Sequence, residues 1–530
     1  MGASFFSDWS SGTHKSVTFL DDGARRAAAR AERAAAVARP VSKALLAVLE
    51  KQNPGRGKAL ALLAEPGATV VVTGQQMGLF LGPLFTLYKA LSAVANAKAL
   101  AAQTGRPCVP LFWLQDEDHD LAEIDHTFLP SSSGAPLKVS LGVENAAAWK
   151  APVAHHVLGA GATAAVDQLR AVLGREPHAA EHLALLGRAW TPGATMSSAF
   201  LQAAREVLAF DELLFLDPRD PGLAALSAPV HRRALDEAPR LAQLLEERTA
   251  ALVAAGYSEQ VHIRPGAPLA FFSPDAVDGP RYRLEPEGAD RFTLVGRPGT
   301  VTRAELYAAL EREPLRFTAS ALLRPLIQDA LLPTAAYVGG PGEVAYFAQL
   351  APLYPALGLT MPLIAARARF TVLDDRCRGL MEKLGLSAKD AVGPRAPLLA
   401  KLAAGSQHHP APESVEAKVM GALKPELDAL ATHLDALDPS LREPLQRTEE
   451  SMRGALGKLL ARYGKVLGQR DQVSVERLDR LRGYLIPNDA PQERVFAMAY
   501  YACRFGTRAF VDAVQAGITP FSGEHQELSL

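Results

Sequence analysis

The densest chemistry in this 530-residue chain is the run Asp116-Glu117-Asp118-His119-Asp120. A carboxylate beside an imidazole orients it and raises its pKa, which suits proton transfer near neutral pH. In that reading His119 takes a proton from an amine. The remaining acids hold the ammonium group or a Mg2+ ion, which prefers oxygen ligands. A solvated acidic loop is the plain alternative. A second polar group is Gly74-Gln75-Gln76-Met77-Gly78, where side-chain amides and backbone N–H groups can meet substrate or phosphate oxygens. A third is Gly339-Gly340-Pro341-Gly342-Glu343, a glycine turn feeding a helix, which can hold an anion on free N–H groups. It is neither GxGxxG nor a Walker A loop, and turn geometry alone accounts for the glycines equally well. Arg367 and Arg369 could grip phosphate or carboxylate with two N–H groups, or simply face water. Gln492, Glu493 and Arg494 are the C-terminal candidates, with salt bridges to the core as the competing role.

These residues need elements to hold them. Thr69–Thr73 is a short β-branched run that stops at Gly74. Pro83 suits a first helical turn, and Leu84, Leu87, Tyr88, Leu91 and Val94 then recur at helical spacing. Lys89 lies on that helix and is expected to sit too far along it to help. Cys108–Leu114 is an unbroken apolar run, as in a strand covered on both faces. Strand, helix and strand make a βαβ unit, and ligands sit beyond the carboxyl ends of such strands. Leu213–Leu216 followed by Asp217 repeats the pattern, so an α/β doubly wound sheet is predicted. A long helix is expected over 230–256, capped at Gly256. Residues 5–20 read as irregular and 23–36 as a solvated helix.

Residues 130–165 and 257–317 read as short strands and turns. His155-His156 lacks a third ligand at recognisable spacing, so no metal site is assigned. In 411–470, leucines step mostly by four and three, a heptad stripe. Asp438-Pro439-Ser440 interrupts it, which predicts two helices folded as an antiparallel coiled-coil hairpin. The stripe should bury itself against a second copy, giving a homodimer.

With 56 Lys plus Arg against 57 Asp plus Glu, no basic excess points to nucleic acid. Cys108, Cys377 and Cys503 are far apart with no CxxC, fitting free thiols in a reducing compartment. No signal-like start and no apolar stretch near the ~18–20 residues of a membrane span are present. The expected location is the cytoplasm, with no membrane partner.

TGQQMGLFLGPLFTLYKA, FWLQDEDHDLAEIDH, AYVGGPGEVAYFAQL and PNDAPQERVF closely resemble the bacillithiol biosynthesis cysteine-adding enzymes, the BshC family. Arg367 and Thr371 match a family stretch like RxSxT, although Arg369 stands where the family has Ser. The resemblance implies a Rossmann-like core similar to class I aminoacyl-tRNA synthetases, connecting insertions and a coiled-coil domain. The organisation expected is core at 1–129, 166–256 and 318–375, insertions at 130–165 and 257–317, a helical domain at 376–484, and a C-terminal segment at 485–530 packing on the core.

The activity implied is addition of L-cysteine to glucosaminyl-malate, the last step of bacillithiol synthesis. Making that amide requires an activated carboxylate, so ATP with Mg2+ is the cofactor expected. HIGH and KMSKS motifs are absent; the Gly74–Gly82 turn occupies the place of HIGH. Glu343 would face an amine and Arg367 a carboxylate such as malate. Replacing His119 by Ala or Glu117 by Gln should abolish product. Two other readings compete: an amino-acid-activating enzyme for another amine acceptor, and a non-catalytic coiled-coil scaffold.

Overall fold

The computed structural model describes residues 4–405, 410–470 and 472–530. It divides into two compact units. The larger comprises residues up to Leu129, Leu137–Thr371 and Glu493–Leu528; the smaller comprises Pro130–Pro136, Val372–Gln492 and Ser529–Leu530.

The larger unit is built on a parallel five-stranded sheet. Its strands are β1 (Thr69–Gln75), β2 (Cys108–Leu114), β3 (Leu214–Leu216), β4 (Thr334–Gly339) and β5 (Leu363–Ala366). They lie in the order β5-β4-β1-β2-β3. Strand β1 runs in unbroken register with β2, from Thr69 opposite Cys108 to Gln75 opposite Leu114. On its other side Val71 to Thr73 pair with Ala336 to Val338 of β4. Alternate side chains enter different cores: Val70 and Val72 join Leu111, Trp113 and Leu216 in one, while Val71 joins Ala336, Val338 and Ala365 in the other. Both faces are covered, which is why these strands read as continuous apolar runs. Helix α1 (Leu84–Thr104) crosses from β1 to β2 and ends at Gly105, whose φ of 66° supplies the left-handed cap. The α/β fold expected from the sequence is therefore the one present.

The predicted β-rich stretch after residue 257 is a five-stranded antiparallel sheet. Its strands are Phe317–Ala319, Ala270–Phe272, Tyr282–Pro286, Arg291–Leu294 and Arg297–Thr302 in spatial order. Two local expectations fail. Residues 5–20 are not irregular: Phe5–Ser10 and His14–Val17 are helical, with Phe5, Phe6 and Trp9 buried. The predicted helix over 230–256 is two helices, Pro221–Asp236 and Ala238–Ala254. Pro239 falls in the first turn of the second, where a missing N–H is tolerated, and its ring blocks a continuous helix.

The smaller unit is helical. Helices α3 (Pro412–Leu437) and α4 (Arg442–Arg470) form the predicted hairpin, joined by a short 3-10 turn at Pro439–Leu441. Asp438 accepts from the N–H of Ser440 at 2.9 Å and closes the bend. Residues Pro130–Pro136 belong to this unit because Gly134, with φ +89°, lies against Gly483. A Cβ on Gly483 would sit 2.2 Å from the Gly134 carbonyl oxygen, so only glycine fits there. Among the described residues no helix is long and apolar enough to cross a membrane.

Candidate active site

A cavity of about 690 Å3 opens beyond the carboxyl ends of β1, β2 and β4. It brings together Gln75, Gln76, Glu117, Asp118, His119, Gly340, Gly342, Glu343, Arg367 and Arg494. The three polar groups found in the sequence therefore share one crevice.

At one side Lys89 reaches back from α1 and is wholly buried. Its Nζ donates to the Gly74 carbonyl at 2.7 Å and to Gln75 Oε1 at 2.9 Å, and it forms an ion pair with Glu343. Glu343 lies in the first turn of α2 (Pro341–Leu350) and also accepts from Tyr337 Oη at 2.6 Å and Gly340 N at 2.8 Å. Burial opposes its charge, but Lys89 and the Gly340 N–H hold its carboxyl below the usual range. The expectation that Lys89 sits too far along its helix is wrong. A residue six positions into α1 still reaches the end of β1 because its long stem runs back toward the helix N-terminus.

At the other side Arg281, the residue just before the antiparallel strand Tyr282–Pro286, enters the cavity. Its Nη2 donates to Asp118 Oδ1 at 2.6 Å and its Nη1 to Thr318 Oγ1 at 3.2 Å. The guanidinium lies 4.2 Å from the centre of the Phe271 ring, a cation–π contact that fixes its plane. Gln76 Nε2 donates to Asp118 Oδ2 at 3.0 Å. Burial works against the charge on Asp118, yet Arg281 and the His119 backbone N–H hold its carboxyl well below the ordinary value. Glu117 is different. Among the described residues its only hydrogen bond is a long contact, 3.4 Å, from Ala319 N, and burial raises its pKa despite Arg219 and Arg281 nearby. Behind it, Asp116 is fully buried, accepts from Ser197 Oγ at 2.8 Å, and is pushed well up by burial and by Asp217 beside it.

Several expected roles are answered inside the protein instead. Glu343 faces an amine, but it is that of Lys89. Arg367 faces a carboxylate, but it is Glu493, at 2.6 Å. Gln492 does not line the cavity: it is buried, accepting from Val372 N and donating to the Val372 and Tyr484 carbonyls. Thr371 is likewise outside the cavity and pairs with His525 Nε2 at 3.0 Å. Asp120 caps a short helix by accepting from Glu123 N at 3.1 Å. Gly74, Gly78 and Gly339 do not line the cavity either. A Cβ on Gly74 would lie 2.9 Å from the Trp113 carbonyl, and one on Gly78 would lie 2.7 Å from Gly82 Cα, so both allow close backbone approach. A Cβ on Gly339 would press on that of Glu343 at 3.1 Å.

Sequence reasoning missed Arg281 and Arg324. Arg324 lines the cavity and donates to Gln328 Oε1 at 3.1 Å and to the hydroxyls of Tyr346 and Tyr337 at 3.2 and 3.3 Å. Among the described residues, neither Arg324 nor Arg494 has a carboxylate within ion-pair distance. Both are available to an anionic ligand.

Models of the bacillithiol biosynthesis BshC family match the whole length: its N-terminal Rossmann-like domain over residues 4–368 and its C-terminal coiled-coil domain over 370–530. The chain belongs to the BshC family. Curated relatives carry the name "Putative cysteine ligase BshC". The one from Solibacter usitatus (strain Ellin6076) is 36% identical over 463 residues, 87% of this chain and 85% of the relative. The one from Salinibacter ruber (strain DSM 13855 / M31) is 32% identical over 516 residues, 95% of this chain and 92% of the relative. The one from Koribacter versatilis (strain Ellin345) is 35% identical over 444 residues, 83% of this chain and 80% of the relative. The chain is thus an enzyme of the ligase class, in a family of bacillithiol biosynthesis. The resemblance read from the TGQQ, EDHD and GGPGE stretches is the family found.

Proposed function

We propose that this enzyme joins the carboxyl group of L-cysteine to the amine of glucosaminyl-malate, forming an amide in the last step of bacillithiol synthesis, in the cytoplasm. The observation that carries this reading is the lining of the cavity. One crevice offers unneutralised arginines for the carboxylates of a malate conjugate, and beside them a half-buried carboxyl for taking a proton from an amine, with an imidazole next to it. Names of the relatives support cysteine as the donor.

A cysteine carboxylate is a poor electrophile, so an activating nucleotide belongs to the reading. Arg324, Arg494 and the N–H groups of Gly342 and Glu343 in the first turn of α2 would hold the phosphates of ATP, which would supply activation of the carboxylate. Among the described residues no three His, Cys, Asp or Glu side chains are grouped to bind a metal ion. Asp118 and Glu343 are each engaged by a cation, so Mg2+ would arrive with the nucleotide rather than in a protein cage.

The deciding assay incubates the enzyme with cysteine and glucosaminyl-malate, with and without MgATP, and reads product, AMP and ADP by mass spectrometry. An amide product formed only with MgATP supports the whole reading. Product without nucleotide removes ATP from it, and no product with this acceptor, but product with another amino-sugar conjugate, replaces the acceptor.

The coiled coil supports a homodimer. Leu430, Met452 and Leu459, on the predicted stripe, are exposed in the single chain. Exposed leucines at heptad spacing are what a second helical hairpin would cover. A monomer by light scattering at micromolar concentration would refute this.

A further inference from the structure

Nδ1 of His119 lies 2.8 Å from Nη2 and 3.1 Å from Nε of Arg281. A guanidinium carries only N–H groups and keeps its protons at any accessible pH. Nδ1 therefore meets it as an acceptor. Asp118 Oδ1 is also within 3.3 Å of Nδ1, but that oxygen already accepts from Arg281 Nη2 at 2.6 Å and from the His119 backbone N–H at 2.7 Å. A hydrogen on Nδ1 would point at two N–H groups. One state satisfies every contact: a neutral imidazole with its proton on Nε2. Arg281 cannot swing aside without loss, since Thr318 and the Phe271 ring hold its plane and its backbone N–H donates to the Lys150 carbonyl at 2.9 Å.

A proton on Nε2 makes the free edge of His119 a hydrogen-bond donor, not a base. The base must then be sought among the carboxyls of the same cavity. Asp118 is paired with Arg281 and Glu343 with Lys89. Glu123 is exposed at the rim. Glu117 lines the cavity, is half-buried, and has no ion-pair partner among the described residues.

We propose that Arg281 is a positioning residue that locks His119 as an Nε2–H donor toward the carbonyl oxygen under attack, and that Glu117 is the group that deprotonates the acceptor ammonium. In that transfer the ammonium gives one proton to the Glu117 carboxylate, which becomes a carboxylic acid, and the nitrogen lone pair is freed. A carboxyl whose proton affinity is raised by burial is closer to an amine in basicity, which favours the exchange. This assignment rests on the amide-forming reading above; the tautomer of His119 does not.

The test has two arms. The first is 15N NMR of the full-length enzyme labelled at histidine, with His119 assigned by its loss in His119→Gln. At neutral pH the wild type should show an unprotonated Nδ1 and a protonated Nε2, and Arg281→Lys should give a mixture of tautomers. A protonated Nδ1, or an imidazolium, overturns the role of Arg281. The second arm is kinetic. Glu117→Gln should lower kcat by about 100-fold or more and flatten the acid limb of the pH–rate profile. His119→Gln keeps an N–H near the Nε2 position and should retain about 10-fold more turnover than His119→Ala. An unchanged acid limb in Glu117→Gln overturns the base assignment. Absence of amide product in the wild type sinks the amide reading and the base together, while the NMR arm still decides the tautomer.

Discussion

Lys89 with Glu343 and Arg281 with Asp118 are two ion pairs on one cavity wall, each setting an acid just beyond a core strand against a cation from another segment. They differ in exposure. Lys89 and Glu343 side chains are 3% and 15% accessible, whereas Asp118 is 38% and its neighbour His119 is 42%. In the first pair every donor of Lys89 has an acceptor, and Glu343 is met by three donors. In the second, water reaches the acid and the imidazole keeps a free edge. The first pair ties β1, α1, β4 and α2 together; the second leaves groups able to meet a ligand.

The contrast breaks most easily through the closed pair. Lys89→Met or Glu343→Gln alone leaves a buried charge unanswered and should cost about 3–5 kcal/mol of stability, read by denaturant unfolding. Removing both should cost less than the sum of the singles, since no orphan charge remains. A cost below about 1 kcal/mol for either single change would show that the pair is not architectural.

A medium effect is expected one step behind the open pair, at Asp116. Its folded pKa is raised, so stability is greatest while the unfolded carboxylate is also protonated, below about pH 3.9. Stability then falls with rising pH, by up to about 1.4 kcal/mol per unit, until the folded pKa is reached. Asp116→Asn cannot ionise. Its stability relative to wild type should improve from pH 4 to pH 8 in thermal melts. A constant difference would mean that Asp116 is charged in the fold.

The smallest effect belongs to Asp118→Asn. Water screens this acid, but Arg281 is only 5% accessible and would lose its carboxylate, so the loss at neutral pH should be about 1–2 kcal/mol. Its folded pKa is lowered, so the wild-type advantage exists above about pH 3.9 and disappears as pH falls toward the folded value. A loss as large as that of Lys89→Met would erase the distinction between the two pairs.

The βαβ unit and its polar turns were legible because periodicity and turn chemistry are local. The hairpin of α3 and α4 was legible for the same reason. Arg281 was not: it lies 162 residues from His119, just before an ordinary charged strand. Only the antiparallel sheet brings it there. Lys89 and Arg324 did leave a signal, a single cation inside an otherwise apolar run, LFTLYKALSAV and ALLRPLI. A buried charge in such a run must be answered by a partner, which makes it a site candidate. The helices within 5–20 were hidden by their length, since segments this short owe their helicity to packing rather than propensity.

The contact of Gly134 with Gly483 sets where this polypeptide can be cut. A fragment spanning only 372–492 would omit the seven residues Pro130–Pro136 that complete the helical unit, and would expose the surface that they cover. Supplied as a separate peptide, that missing piece should bind the fragment and raise its melting temperature, turning an insertion loop into a reagent.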